Sequence, residues 1–475
     1  MGNIDVVRGK GRNMNRQNLG VKNNNVLLIM GVFGLCTLGP AVLPVTHPGS
    51  GGTGFSAEPP PAARVTAPGP LSPEASATRL MLPKGFRIEL VASEPVVSEP
   101  TCLAFDEQGR MFVCELHGFN LEGELDVAEL NKAGKVDKSV RRIRWERQGG
   151  AIAQEARKGQ YGTVKLLHDS DGDGRMDRAD VWADRLPPCY GVLPARGGLV
   201  VVCAPDILFL ADRDNDGKAE VRETLFTGFR REFIERGINN PRWGVDNWIY
   251  VGSGGDGGTI RGPKLARPVE LGRGDFRIRP DGSAIEPVTG TVRTFGLALN
   301  DMGDRFTTAG GTPVSTSLPL PLQSLQRNPF VASPSPSYVI SNYNRVFGVS
   351  PPHPWRVRRG QDPNWVKFYG NRETSGGYFT SGCGTEIYRA GLFPRKYHGN
   401  LFCCEPSNNV IHRSLLTRDG AGYHARRAKT ETKSEFLASA DPWFRPVNLR
   451  VGPGGELYIV DMYREIVEDY SAIPR

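Results

Sequence analysis

Nowhere in these 475 residues does a long run carry the apolar i, i+3, i+4 spacing of an amphipathic helix, which turns the expectation away from helical architectures. CxxCH is missing, so the chain holds no covalently attached c-type haem. CxxC pairs and an HExxH helix are missing too, and with them the usual zinc signatures. There is no basic stripe interleaved with aromatics, so nucleic acid is not an expected partner. No Ser/His/Asp arrangement and no pair of carboxylates stands out for hydrolysis.

What is present is turn-rich. Gly 58 and Pro 37 are high counts, and 39% hydrophobic content is enough for one large core or two domains, so β structure is expected. The formal charge is +8, but half of it comes from Arg8, Lys10, Arg12, Arg16 and Lys22 set against Asp5. That basic start leads into "VLLIMGVFGLCTLGPAVLPV", Val26 to Val45, which reads as an export signal or signal anchor facing the periplasm. Pro40 and Pro44 make it a poor spanning helix, although twenty residues just reach across a bilayer if uncleaved. Gly34 and Leu35 fit a lipidation box badly, so Cys36 is read as an ordinary residue of the signal. Residues 46–78 follow as a Pro/Gly/Ala/Ser linker with almost nothing to bury. The folded unit is therefore expected over residues 79–475.

Eight cysteines in an exported chain invite disulfides, and seven lie beyond the signal, an odd number. Cys102 and Cys114 flank the turn "DEQGR" and are within reach of a cross-strand bond. Cys403 and Cys404 are adjacent and cannot easily bond to each other.

The rest of the chain is repetitive. "AFDEQGRMFVCE" (104–115), "RWGVDNWIYVGS" (242–253) and "RVGPGGELYIVD" (450–461) share an apolar or small lead, a tight polar turn and an alternating Phe/Tyr/Val/Ile strand. Each is a hairpin signal. Two aspartate-rich loops begin at Asp169 and Asp212, 43 positions apart, the period of one four-stranded propeller blade. Such blades arranged radially leave only short, protected edges. The expected fold is an all-β propeller of six blades, within a range of six to eight.

In "HDSDGDGRMDRAD", carboxylates fall at loop positions 1, 3, 5, 9 and 12 (Asp169, Asp171, Asp173, Asp177 and Asp180), with Gly174 at the sharp turn. The second loop sets Asp212, Asp214, Asp216, Glu220 and Glu223 in the same slots around Gly217. Oxygen-only ligands at alternate positions suit a hard cation such as calcium. The plainer alternative is two charged solvent-facing turns, since turns also favour Asp and Gly. The flanks "YGTVKLL", "VWADRL", "DILFLA" and "ETLFTGF" read as strands, so a helix-pair switch is excluded and a fastener for a blade hairpin is expected. Positions 1, 3, 5 and 9 are the firmer ligands, because the position-12 carboxylates can point off a strand-flanked loop.

"LPKGFRIELVASEP", "VKLLHDSDGDGRMDRADVWADRLP", "APDILFLADRDNDGKAEVRETLFTGF", "RWGVDNWIY", "RGDFRIRP", "SGGYFTSGCGTEIYRAGLFP", "NNVIHR" and "KSEFLASADPWFRPVNLRVGPGGELYIVDMYREIVE" occur in order from about Leu82 to the C-terminus. Together they resemble the membrane-bound dehydrogenase domain family abundant in planctomycetes and verrucomicrobia. The resemblance implies an exported β-propeller similar to the soluble pyrroloquinoline quinone sugar dehydrogenases, acting on a sugar or alcohol. Chains of that family often continue into a helical-repeat region and a cytochrome c domain. For this chain, either the electron acceptor is a separate cytochrome or quinone acceptor, or the chain is a short or non-redox member of the family.

Such catalysis needs a base near the substrate hydroxyl, cations for the cofactor carboxylates and a calcium ion on the quinone carbonyl. His117 in "VCELHGF" and His412 in "NNVIHR" are the candidate bases, each with a structural role as the alternative. Arg242, Arg413, Arg445 and Arg464 are the candidate cofactor residues; an arginine can clamp a planar acid or pin blade to blade through carbonyls. Trp243, Trp248, Trp355, Trp365 and Trp443 are expected to pack between blades. From a different class, a non-catalytic, calcium-stapled propeller binding a glycan or protein partner is the alternative function.

Overall fold

The computed structural model describes residues 2–9, 68–117, 162–230, 237–317, 337–353 and 377–465, with a few positions between 322 and 357. The chain opens with strand β1 (Asn3–Gly9), then α1 (Pro73–Ala77), β2 (Leu80–Met81) and β3 (Phe86–Ser93). Blade one is β4 (Pro100–Phe105), β5 (Met111–Leu116), β6 (Gly162–His168) and β7 (Arg178–Leu186). Blade two is β8 (Gly191–Ala195), β9 (Gly198–Cys203), β10 (Asp206–Ala211) and β11 (Val221–Phe229). Blade three begins with β12 (Asn239–Trp243) and β13 (Ile249–Gly252). The hairpin β14 (Gly258–Arg261) and β15 (Val269–Leu271) then returns to the edge of blade two, before β16 (Gly274–Ile278) and β17 (Ile285–Val292) complete blade three.

Blade four is β18 (Gly296–Leu299), β19 (Arg305–Ala309), β20 (Thr312–Ser317) and β21 (Ser337–Val339). Blade five is β22 (Cys383–Ile387), β23 (Leu401–Glu405) and β24 (Val410–Asp419), with β25 (Gly422–Arg426) paired to β24, and β26 (Leu437–Ser439) and β2 on its outer edge. The closing blade joins β27 (Pro446–Val451) and β28 (Leu457–Asp461) to β1 and β3, in the order β27-β28-β1-β3. The inner strands touch in a ring: β4 with β8, β8 with β12, β12 with β18, β18 with β22, β22 with β27, and β27 with β4. This is a six-bladed β-propeller.

The apolar strand runs follow from that arrangement. Val200, Val202, Ile207 and Phe209 of blade two pack with blade three, while Val201, Cys203, Leu208 and Leu210 pack with blade one. Neighbouring blades cover both faces of a sheet, so alternation between apolar and polar is lost and the strands read as continuous hydrophobic sequence. The three repeated hairpins are the β4–β5, β12–β13 and β27–β28 pairs, the innermost hairpins of blades one, three and six.

Two boundaries differ from the sequence reading. Residues 68–78 dock onto the propeller: the Trp443 indole donates to the Pro68 carbonyl at 2.7 Å, and Tyr463 and Leu71 exchange hydrogen bonds. The first residues, read as the basic segment ahead of the apolar run, supply the third strand of the closing blade. Ile4, Val6 and Val7 are fully buried there. That segment alternates too weakly for a strand to be recognised, and its partners lie at the other end of the chain. Val26–Val45 lies outside the described residues; among those described, no helix is long and apolar enough to cross a membrane.

The seven cysteines beyond the apolar run are free and buried. Cys102 and Cys114 are directly opposed across β4 and β5, and burial raises the Cys102 thiol well above its ordinary value.

Because Val6 is fully buried between β28 and β3, Val6→Asp introduces an unpaired charge into the closing blade. It is expected to cost about 3 kcal/mol or more, read as a lower midpoint in urea unfolding of the full chain.

Candidate functional site

All six inner strands start at one face of the ring, and the second strands end there. Neighbouring blades are tied to one another there: Thr101 Oγ1 donates to Cys189 O at 2.8 Å and Asn239 Nδ2 to Thr294 O at 2.8 Å, each joining two strand starts, and Arg445 Nη1 donates to Pro406 O, just past the second strand of blade five, at 2.9 Å. This axial face holds His117, Arg445 and Arg464. The aspartate-rich loops join β6 to β7 and β10 to β11, at the opposite face, so the calcium-loop candidates and the base candidate are not parts of one site.

His117 sits just past the end of β5 with its side chain 40% exposed, its Nε2 3.1 Å from Oε2 of fully buried Glu115. Glu115 also accepts from the Ser98 amide at 2.7 Å and pairs with Lys165 Nζ at 2.9 Å. A buried carboxylate therefore holds one ring nitrogen of a histidine at the mouth and fixes its tautomer, leaving the other nitrogen for a proton. Arg464 pairs with Glu99 at the same mouth, and burial lowers its guanidinium to about 10.

His412 is elsewhere. It lies on β24, the third strand of blade five, and is 0% exposed. Its Nδ1 is 2.7 Å from Glu435 Oε2, and its Nε2 is 3.1 Å from both Ser414 Oγ and Tyr343 Oη. Burial lowers the imidazole below its ordinary value. The Glu–His–Ser alignment has the order of a nucleophilic triad, but Ser414 is 0% exposed as well, so it is packing between blades.

Three of the four nominated arginines are structural. Arg242 reaches from β12 into the ring of inner strands. Its Nε donates to Leu297 O at 2.9 Å and its Nη2 to Thr385 O at 2.8 Å, and it pairs with Glu386 at 3.0 Å. Arg445 donates to the carbonyls of Arg464, Pro406 and Glu465. Arg413, beside His412, is held by Glu431 at 2.5 Å, by Asn400 at 2.8 Å and by the Tyr397 ring at 4.4 Å. The expected clamp for a tricarboxylate cofactor is therefore corrected: these donors already have carbonyl and carboxylate partners within the fold. Trp243 lies at a blade contact, donating to Pro194 O of blade two at 3.0 Å, whereas Trp248 lies under Arg277 and Arg279 of its own blade. Trp355 and Trp365 lie outside the described residues.

The two loops bring together fewer ligands than their sequences suggest. In each, the carboxylates at positions 1, 3 and 5 converge, with ligand atoms of Asp169, Asp171 and Asp173, and of Asp212, Asp214 and Asp216, all within 4.8 Å of one another. Ligands about 2.4 Å from one calcium can be no further apart than that. Gly174 and Gly217 take φ of +94° and +88°, which only glycine adopts without strain. Asp212 Oδ1 is buried with no hydrogen-bond donor. Asp180 is corrected out of its set, since it pairs with His168 and Arg178, and so is Glu223, which pairs with Arg196. A position-12 residue here is on a strand leaving the turn rather than on a helix curling back. Asp177 and Glu220 turn to the loop backbone, accepting from the amides of Ser170 and Arg213.

A set of carboxylates that sequence reasoning missed lies on the axial face. Glu115, Glu405 and Asp461 end the second strands of blades one, five and six, and each accepts amides from the segment entering its own inner strand. Glu405 takes Thr380 and Ser381 at 3.1 and 2.9 Å, and Asp461 takes Arg445, together with the amide of Tyr463 just past its own strand. The signal was present as "MFVCE", "LFCCE" and "LYIVD", an aromatic-apolar strand ending in an acid. Blade three has a variant: Asp275 accepts from the Ser253 amide at 3.1 Å.

With that geometry in place, the protein is defined as a six-bladed propeller with a polar axial mouth and acidic loops on the far side. It belongs to the family described as Domain of unknown function (DUF7133), which matches residues 72–475; that description names no activity. No curated protein matches the chain. Among solved structures it is similar to a putative oxidoreductase (glucose dehydrogenase) from Thermus thermophilus. The two are 15% identical over 78% of this chain and 92% of that one, with a TM-score of 0.42. It is also similar to the pyrroloquinoline quinone domain of a Coprinopsis cinerea pyranose dehydrogenase, at 12% identity over 80% and 97%, TM-score 0.41. A third is a quinone-bound aldose sugar dehydrogenase from Streptomyces coelicolor, at 13% identity over 80% and 96%, TM-score 0.37.

Burial raises the Glu405 carboxyl from the usual carboxylate range to about 7. The folded state then holds a proton that the unfolded chain has released, so stability from this group is full below about pH 4.5 and is lost as pH rises through 7. Glu405→Gln is expected to remove a loss on the order of 3 kcal/mol, making the melting temperature flatter between pH 5 and 8.

Proposed function

We propose that this chain is a dehydrogenase-type propeller that oxidises a hydroxyl group of a sugar or alcohol at its axial mouth, with His117 as general base. The observation that carries the proposal is the His117–Glu115 pair. It sets a partly exposed imidazole at the mouth, orients it through a buried carboxylate and leaves Nδ1 outside that hydrogen bond. In this reading His117 takes the hydroxyl proton, Glu115, itself held by Lys165, orients the ring, and the carbinol hydrogen would leave with its electron pair to a two-electron acceptor of the quinone class, which a one-electron cytochrome could only reoxidise. A quinone is the hydride acceptor to test and a separate cytochrome or quinone-linked protein its reoxidant; export behind Val26–Val45 is no part of the proposal, because cleavage or a single membrane crossing there would part β1 from β28 and β3. Arg242, Arg413 and Arg445 are engaged inside the fold and supply no clamp for a quinone, so no residue of this chain is assigned to hold one.

Calcium belongs to the proposal as a fastener of blades one and two. The support is the convergence of three carboxylates in each loop and the buried, donorless Asp212 oxygen. Bound only by the native chain, calcium stabilises it by mass action. A chelator is expected to lower the melting temperature by several degrees, and Asp214→Asn to remove part of that response; an unchanged melting curve at nanomolar residual calcium contradicts the assignment.

The catalytic reading is tested on the full chain with calcium and pyrroloquinoline quinone, by dye reduction across a panel of aldoses and alcohols. Activity in the parent chain and at least a hundredfold loss in His117→Gln, with unchanged melting temperature, is the expected result. A panel without turnover favours the second reading, a glycan- or protein-binding propeller, which the engagement of Arg242, Arg413 and Arg445 inside the fold also supports.

A further inference from the structure

The closing blade contains a polar cluster that the axial site does not use. Asn3, Asp5 and Asp461 are 3%, 3% and 1% exposed. Asn3 is directly opposite Asp461 in the β1–β28 ladder, and Asp5 lies two residues further along β1, opposite Ile459. Side chains two apart on a strand share a face, so all three stand together on one face, two opposed and one diagonal. Each keeps a buried oxygen with no hydrogen-bond donor: Asn3 Oδ1, Asp5 Oδ1 and Asp461 Oδ2.

Blade one supplies an internal comparison. There the acid is Glu115, the residue opposite it on the third strand is Thr163, and the residue two further along is Lys165. Lys165 sits 2.9 Å from the carboxylate and neutralises it. The closing blade has the same register, with Asp461 for Glu115, Asn3 for Thr163 and Asp5 for Lys165. Where blade one places a built-in cation, the closing blade places a second acid. Asp461 also faces Asp441, and the guanidinium of Arg445, the nearby cation, is bonded to carbonyls. Arg445 offsets part of the Asp461 charge, while Asp5 is acted on by the like charge of Asp461; buried carboxylates so under-compensated cost several kcal/mol.

We propose that Asn3, Asp5 and Asp461 bind a divalent, oxygen-seeking cation of the calcium class, which replaces the lysine of blade one and fastens the first strand of the chain to its last hairpin. The set is oxygen-only and carries two negative charges, which suits calcium and excludes soft metals. This site is independent of the two aspartate-rich loops and of the proposed chemistry at His117.

The test counts calcium on the full chain by equilibrium dialysis and by the mass of the intact, non-denatured protein. A loop-disarmed chain (Asp171→Asn, Asp173→Asn, Asp214→Asn and Asp216→Asn) is expected to keep one bound calcium and a melting temperature that falls by several degrees with chelator. Adding Asp5→Asn is expected to remove both. Adding Asp5→Lys, which rebuilds the blade-one arrangement, is expected to bind none and to melt at the same temperature with and without calcium. A loop-disarmed chain that binds no calcium and ignores chelator overturns the proposal. So does Asp5→Asn that raises the melting temperature equally in both conditions, which is the signature of a shared proton or a water in place of the metal. Loss of calcium at the loops alone bears on the loop assignment and leaves this site standing.

Discussion

Closure of the ring is the constraint on which the rest of the molecule depends. A propeller blade buries both faces only when it has a neighbour on each side, so the last blade must meet the first or leave two apolar sheets in water. Here the meeting is made by segments more than 350 residues apart in sequence: the hairpin at 446–461 accepts β1 and then β3 from the start of the chain. Arg450 crosses the same seam, donating to Leu103 O of blade one and Val192 O of blade two at 3.3 Å each. Residues 68–78 lie over the seam from outside.

That constraint explains where the polar groups are. Six inner strands converge on the axis with carbonyls that cannot all find ladder partners, and buried carbonyls need donors. Arg242, Arg445 and Arg450 supply them, which is why arginines in motif-rich positions turn out to be struts. The entering segments have the complementary need, amides lacking acceptors, and Glu115, Glu405 and Asp461 meet it. Once these demands are satisfied, His117, among the described residues of the axial face, combines exposure with an orienting partner. The acidic loops are far from this competition because they lie at the other face, where the turn between outer strands is free to gather carboxylates.

Much of this was legible in the residues. The repeated hairpins and the 43-residue echo of the loops correspond to the inner hairpins and to the outer turns of blades one and two, because each blade solves the same local problem with the same turn and strand chemistry. The convergence at loop positions 1, 3 and 5 was legible for the same reason: it is made within six residues. The position-12 ligands were less so, since their direction depends on whether the chain leaves the loop as helix or strand. His412 and Arg413 were misplaced because adjacency to a motif says nothing about which strand of a blade, inner or third, carries it.

Local spacing in the chain encodes the elements: strand-length apolar runs, glycines where φ must be positive, acids at alternate positions of two turns, and a repeat period that fits six to eight blades. These rest on interactions within a few residues. Only the tertiary structure decided which ends of the strands share a face, that Arg242 fills the ring instead of gripping a ligand, and that Asn3 and Asp5 stand beside Asp461. Those contacts join positions hundreds of residues apart, and their energies depend on burial and on the charges brought alongside, neither of which exists until the ring has closed.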